Sequence, residues 1–145
     1  MSIDWDTLRD LALAAAEHAY APYSEFRVGA AALVDDGRLI SGCNVENASY
    51  GLTLCAECTL VGQLMIGGGG RLVAVATVGN GESVTPCGRC RQLLWEHGGA
   101  ECLVNGDGTI RTLAELLPGA FPDSSSFTGR SRAPELPPSD GGSTE

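Results

Sequence analysis

Apolar residues recur at helical spacing over residues 4–19, where Leu8, Leu11, Ala12, Ala15 and Ala19 share one face. Asp4 suits the N-cap of that helix, and Pro22 stands just past its end. The period then changes. Residues 27–34 and 38–44 are short apolar runs rich in Ala and Gly. Asp35-Asp36-Gly37 between them is a hairpin signal, so the two strands should run antiparallel. A loop over 45–54 leads to a second helix over about 55–66, which the glycines at 67–70 end. Residues 72–78 read as a buried strand, followed by a Gly-rich turn. Pro86 opens a third helix running to about His97, since proline costs nothing in a first helical turn. Gly98 and Gly99 stop it. Residues 101–104 form another strand. The stretch 105–108 is too short for a crossover, so a last strand returns antiparallel before a terminal helix near 113–117.

The order is αββαβαββα. Its two strand–helix–strand steps predict parallel crossovers, and its hairpins add antiparallel neighbours. The fold class is therefore α/β: three α/β/α layers around a mixed five-stranded sheet. The length suits one domain, placed at 1–121. From residue 122 the composition turns to Ser, Pro, Gly and acidic residues, so 122–145 reads as a tail without a fold of its own.

Charge narrows the partners. The formal net charge is −9, and all nine basic residues are Arg, two of them (Arg130 and Arg132) in the tail. No basic cluster remains to follow a phosphate backbone, so neither a nucleic-acid polymer nor an anionic membrane is expected. No signal-peptide pattern opens the chain and no apolar run approaches a membrane span, which predicts a cytoplasmic protein. In that reducing compartment six cysteines point to metal or catalysis rather than disulfides. Cys43 and Cys102 lie in apolar strands and read as inert buried thiols. His97 reads as a cation favoured at a helix C-terminus, and His18 as a surface or packing residue.

Cys55-Ala56-Glu57 opens one helix, and Pro86-Cys87-Gly88-Arg89-Cys90 opens another. Each follows a connection from a strand, so both helix N-termini should emerge at one sheet edge and their thiols converge. Helix N-termini stabilise thiolate. Three thiolates with an open fourth position describe a catalytic zinc site, whereas four protein ligands close it. The spacing leaves a second set open: Cys55, Cys58, Cys87 and Cys90 form paired Cys-x-x-Cys units, as in a structural zinc site. In the first arrangement zinc lowers the pKa of water from 15.7 towards roughly 7. Glu57 can then protonate a ring nitrogen and a leaving amine.

Cys-Ala-Glu followed by Pro-Cys-x-x-Cys resembles the zinc deaminase pattern in its three-cysteine form. Residues 22–31, PYSEFRVGAA, are similar to that family's N-terminal substrate segment, and 44–51, NVENASYG, to its ribose-binding loop. Residues 87–92 match its second metal motif, and 116–121, LLPGAF, its C-terminal end. On these motifs the chain resembles the homotetrameric zinc cytidine deaminases. The resemblance implies a cytidine deaminase-like fold and one Zn2+ per chain on Cys55, Cys87 and Cys90, with Glu57 as the proton carrier. It implies hydrolytic deamination of cytidine and 2′-deoxycytidine to uridine and 2′-deoxyuridine, in pyrimidine salvage. Phe26 would pack on the pyrimidine, Asn44 and Glu46 would hold ribose hydroxyls, and the Ala56 N–H would fix the ring's polar edge. A homotetramer would share sites, with Tyr50 and Phe121 lent by neighbouring subunits. Many members carry Arg where this chain has Cys58. Arg91 is the remaining nearby guanidinium that could hydrogen-bond a ligand sulfur. Two other functions are compatible with the metal motifs: deamination of another cytosine-bearing small molecule such as blasticidin S, and a zinc-stabilised protein without turnover.

Overall fold

The computed structural model describes residues 2–123. The expected tail, 122–145, lies outside the described residues from 124 onward. Helix α1 (Trp5–Ala16) is capped by Asp4, whose carboxylate accepts from the Thr7 N–H at 3.0 Å. Strands β1 (Val28–Val34) and β2 (Leu39–Cys43) form the antiparallel pair that the Asp35-Asp36-Gly37 turn predicts. A short 3-10 turn (Tyr50–Leu52) precedes α2 (Ala56–Ile66). Strand β3 (Leu72–Gly79) turns into the two-residue β4 (Glu82–Ser83), and then come α3 (Gly88–Gly98), β5 (Leu103–Asn105), β6 (Ile110–Thr112) and α4 (Leu113–Leu116).

The sheet order is β2-β1-β3-β5-β6, with β4 paired to the end of β3. The sheet therefore has six strands rather than five. The sixth arises because Asn80 and Gly81 both adopt positive φ, 47° and 87°, which is the geometry of a tight hairpin turn. Strand β1 is antiparallel to both β2 and β3, and β3 is parallel to β5. Strands β2 and β3 thus point the same way, and the helices that follow them start from the same edge.

Residues alternate along the strands between two cores. Ala30, Ala32, Val34 and Val75 pack with Leu60, Leu64 and Leu94 of α2 and α3. Ala31, Leu33, Ala74 and Ala76 pack with Leu8, Ala12 and Ala16 of α1. Small residues bring the layers close. A Cβ at Gly29 would sit 1.8 Å from the Ala12 carbonyl oxygen, and one at Gly42 would sit 2.5 Å from the Ala56 carbonyl oxygen and the Leu60 nitrogen. Helix α1 thus rests on β1, and the first turn of α2 rests on β2.

Two expectations need correction. Pro86 does not open α3: it precedes the N-cap Cys87, whose ψ of 167° is extended, so the helix begins at Gly88. His97 is half-buried, and its burial pushes the imidazole pKa down, so the neutral form is favoured over a helix-end cation. Among the described residues, no helix is long and apolar enough to cross a membrane.

The contact at Gly29 gives a direct test of the packing. Gly29→Ala forces a methyl into the α1 backbone, and overpacking of this kind costs about 1–3 kcal/mol or more. Urea unfolding should show a midpoint lowered to match. An unchanged midpoint would mean that α1 does not rest on β1.

Candidate metal centre and active site

Cysteine occupies both helix N-caps where Ser, Thr, Asp or Asn is the usual choice. Cys55 stands at the N-cap of α2 and Cys87 at that of α3, and neither side chain bonds back to its own helix. Cys90 lies one turn into α3 and is buried. The three Sγ atoms all lie within 4.8 Å of one another. Tetrahedral ligation at a Zn–S distance of about 2.3 Å sets sulfurs roughly 3.8 Å apart, so small side-chain rotations close the set on one ion. Cys58 does not join the cluster, although its spacing left that open. The donor set is three soft thiols, and it fits zinc.

Glu57 follows Cys55 by two residues and is only 4% exposed. Burial pushes the Cys55 and Cys90 thiols up from their ordinary pKa, and the Glu57 charge beside them adds to both shifts. A bound cation reverses that preference, and ligation then releases protons. Cys102 is buried at the other edge of the sheet, where desolvation pushes its thiol up to about 12. Its burial is as expected. Cys43, at the end of β2, is only half-buried.

Cys55, Cys87 and Glu57 line a cleft of about 230 Å³, with Cys90 buried behind them. Phe26, Asn44, Ala56, Thr53 and residues 84–86 complete it. Phe26 is 40% exposed, and its ring lies over Gly79, where a Cβ would sit 2.5 Å from Cζ. Glu25 before it adopts a left-handed φ of 58°, a costly conformation for a non-glycine residue that turns Phe26 into place. The buried Asn44 carboxamide fixes this segment. Its Nδ2 donates to the Phe26 carbonyl at 2.8 Å and its Oδ1 accepts from the Val28 N–H at 2.9 Å.

Glu46 lies in an adjoining pocket of about 340 Å³, with Tyr23, Ser24, Tyr50 and Thr53. Thr53 lines both spaces. Glu46 accepts from the Tyr23 N–H at 3.0 Å, the Ser24 N–H at 3.1 Å and the Ser24 hydroxyl. That hydroxyl, followed by the two amides, holds the carboxyl below its usual pKa. The Tyr50 side chain is 78% exposed, with its ring 6.2 Å from that of Tyr23.

Neither Arg91 nor Phe121 lines the cleft of its own chain. Arg91 donates from Nε to the Pro86 carbonyl at 2.9 Å and from Nη1 to the Leu116 carbonyl at 2.8 Å. These bonds go to backbone rather than to sulfur: Arg91 braces the turn before Cys87 against α4. Phe121 is 81% exposed and does not line the cleft. Its carbonyl accepts from Gln92, and the neighbouring Pro122 carbonyl accepts from Trp95 Nε1 at 2.8 Å. Sequence reasoning overlooked Thr53 and the hydroxyls of Thr59 and Thr77, since lone threonines carry no periodic or spacing signal.

Comparison with known proteins agrees with this geometry. The profile of the cytidine and deoxycytidylate deaminase zinc-binding region matches residues 4–105. The cytidine deaminase of Mycobacterium tuberculosis strain H37Rv is 61% identical over 120 residues, 82% of this chain and 90% of that one. The cytidine deaminase of Halalkalibacterium halodurans is 49% identical over 116 residues, 76% of this chain and 88% of its own. Among solved structures, the cytidine deaminase of M. tuberculosis superposes with a TM-score of 0.81 at 60% identity, covering 83% of this chain and 98% of that one. The chain belongs to the zinc-binding cytidine and deoxycytidylate deaminase family and is a hydrolytic enzyme with one zinc per chain.

Proposed function

We propose that this enzyme hydrolyses cytidine and 2′-deoxycytidine to uridine and 2′-deoxyuridine, releasing ammonia. The observation that carries this reading is the buried carboxylate of Glu57 beside a three-thiol cluster at the end of a cleft. Cys55, Cys87 and Cys90 would hold the zinc, which when bound would supply the Lewis acidity that makes water nucleophilic near neutral pH. Glu57 accepts a proton from the attacking water and passes it to N3 of the pyrimidine as the C4–O bond forms. It then takes the proton of the new C4 hydroxyl and delivers it to the exocyclic nitrogen, and the C4–N bond breaks as the C4 carbonyl forms, with loss of ammonia.

The remaining residues orient the substrate. Phe26 packs on the pyrimidine face, and the Ala56 N–H at the start of α2 donates to the ring's polar edge. The ribose extends past Thr53 towards Glu46. The cleft at the thiols is small beside typical ligand sites of about 300–1,000 Å³, so a whole nucleoside uses both spaces. Asn44 keeps one N–H and one lone pair free beyond its bonds to Phe26 and Val28, and these reach a ribose hydroxyl. The ionised Glu46 accepts from a second. A free base leaves both groups unpaired, which disfavours it. Arg91 supports Cys87 through the Pro86 carbonyl.

Tyr50, Leu52 and Phe121 are large hydrophobic side chains left 65–81% exposed. Their exposure supports a homotetramer in which Tyr50 and Phe121 complete the site of a neighbouring subunit. The six free thiols suit a reducing cytoplasm and a role in pyrimidine salvage.

Glu57→Gln should keep its zinc and its fold while cytidine turnover, followed as ammonia release, falls by roughly 10²–10⁴-fold. A rate near that of the unsubstituted enzyme would remove Glu57 from the proton path. Sedimentation of the full chain at assay concentration should give a tetramer. A fully active monomer would end the shared-site reading.

A further inference from the structure

We infer that Thr59 is a positioning residue, a clamp that sets the distance between the metal-bearing helix and the substrate-bearing strand. The inference rests on the reading of Cys55 and Glu57 as the working end of the site.

Strand β2 is an edge strand. Its last residue, Cys43, turns its N–H and C=O away from β1, while the next residue, Asn44, donates its N–H back to the Val28 carbonyl at 3.2 Å. An outward pair at a sheet edge ordinarily meets water or another strand. Here one side chain satisfies both groups. The Thr59 hydroxyl accepts from the Cys43 N–H at 2.9 Å and lies 2.8 Å from the Cys43 carbonyl oxygen. Its single proton goes to that carbonyl, with the Ala56 carbonyl at 3.0 Å as the alternative acceptor. The hydroxyl thus stands in for a neighbouring strand. It joins the end of β2 to the first turn of α2.

What lies on each side gives this joint its purpose. On the helix side, the Cys55 carbonyl accepts from the Thr59 N–H at 3.3 Å, so Thr59 closes the turn that carries Cys55, Ala56 and Glu57. On the strand side, Asn44 follows Cys43 and fixes Phe26 and Val28 through its carboxamide. A short series of hydrogen bonds therefore runs from the zinc ligand to the aromatic platform, and Thr59 is its middle member. The space is fitted to the hydroxyl as well. A Cβ at Gly42 would come within 2.5 Å of Thr59 Oγ1, so only glycine lets the helix approach closely enough for the bonds to form. Loss of the hydroxyl leaves the Cys43 amide and carbonyl unpaired and frees the first turn of α2 to shift. Shifts of that kind act on metal affinity through ligand placement and on turnover through the orientation of Glu57 against the ring.

The test uses the full chain and three variants, Thr59→Val, Thr59→Ser and Thr59→Ala. Zinc affinity is read by competition with a chromogenic chelator, and cytidine kinetics are read on zinc-saturated protein. Thr59→Val should weaken zinc binding about 10-fold or more, while Thr59→Ser, which keeps the hydroxyl, should restore it to within about threefold. The saturated Val variant should lose about tenfold in kcat, with a smaller change in KM. If Thr59→Val does not fold, Thr59→Ala takes its place against Thr59→Ser. Val and Ala variants that keep zinc affinity and kcat, and lose only their urea midpoint, would overturn the inference and leave Thr59 a stabilising residue alone. Zinc affinity is independent of the substrate, so failure of the unsubstituted enzyme to deaminate cytidine would count against the proposed function and not against the clamp.

Discussion

Two first turns of helix carry all three thiols, and their mutual placement governs everything else at this edge of the sheet. Sulfur atoms within 4.8 Å of one another leave little room for error. The sheet supplies the common origin, because β2 and β3 point the same way and release α2 and α3 at the same edge. Close packing supplies the precision. Gly42 lets α2 settle on β2, and Arg91 ties the turn before Cys87 to the carbonyl of Leu116. The buried Thr77 hydroxyl adds a further tie to the Val84 carbonyl, on the segment that leads to Cys87.

That placement creates an electrostatic demand. Three thiols and a carboxylate share one partly buried pocket, and burial raises the thiol pKa at Cys55 and Cys90. Several like charges cannot be held there without a cation, since desolvation costs several kcal/mol per ion. Zinc binding and the ionisation of the thiols are therefore one event. Three thiolates on zinc carry one net negative charge, and a fourth would make it two and fill the position that water needs. Cys58 stands outside the cluster, which keeps that position open. The polar groups beyond the thiols have a different character. Glu46 is fixed by Ser24 and Tyr23, and Asn44 by Phe26 and Val28, so these polar groups are set before a ligand arrives.

Much of this was legible in the sequence, for physical reasons. The hairpin of β1 and β2 followed from Asp35-Asp36-Gly37, where Gly37 takes a φ of 92°. The thiols and Glu57 were legible because ligand spacing and helix starts are local features. Strand β4 was not read, although Asn80-Gly81 signalled a turn. Two polar residues, Glu82 and Ser83, show no alternation to mark a strand. The start of α3 was misplaced because proline suits the approach to an N-cap as well as a first turn. Arg91 read as a candidate donor to a ligand sulfur because it follows a ligand in sequence, and its guanidinium bonds the carbonyl of Leu116 in α4. That contact spans 25 residues and no local rule reveals it. His97 was read as a cation from its helix-end position, and tertiary burial reversed the preference.

The central claim is that three protein sulfurs hold the metal and leave one position for water. Zinc X-ray absorption on the full chain loaded with one equivalent of metal reads this directly. The account predicts three sulfur scatterers at about 2.3 Å and one oxygen at about 2.0 Å. Four sulfurs and no oxygen would contradict it, because Cys58 would then close the site and leave Glu57 no water to work on.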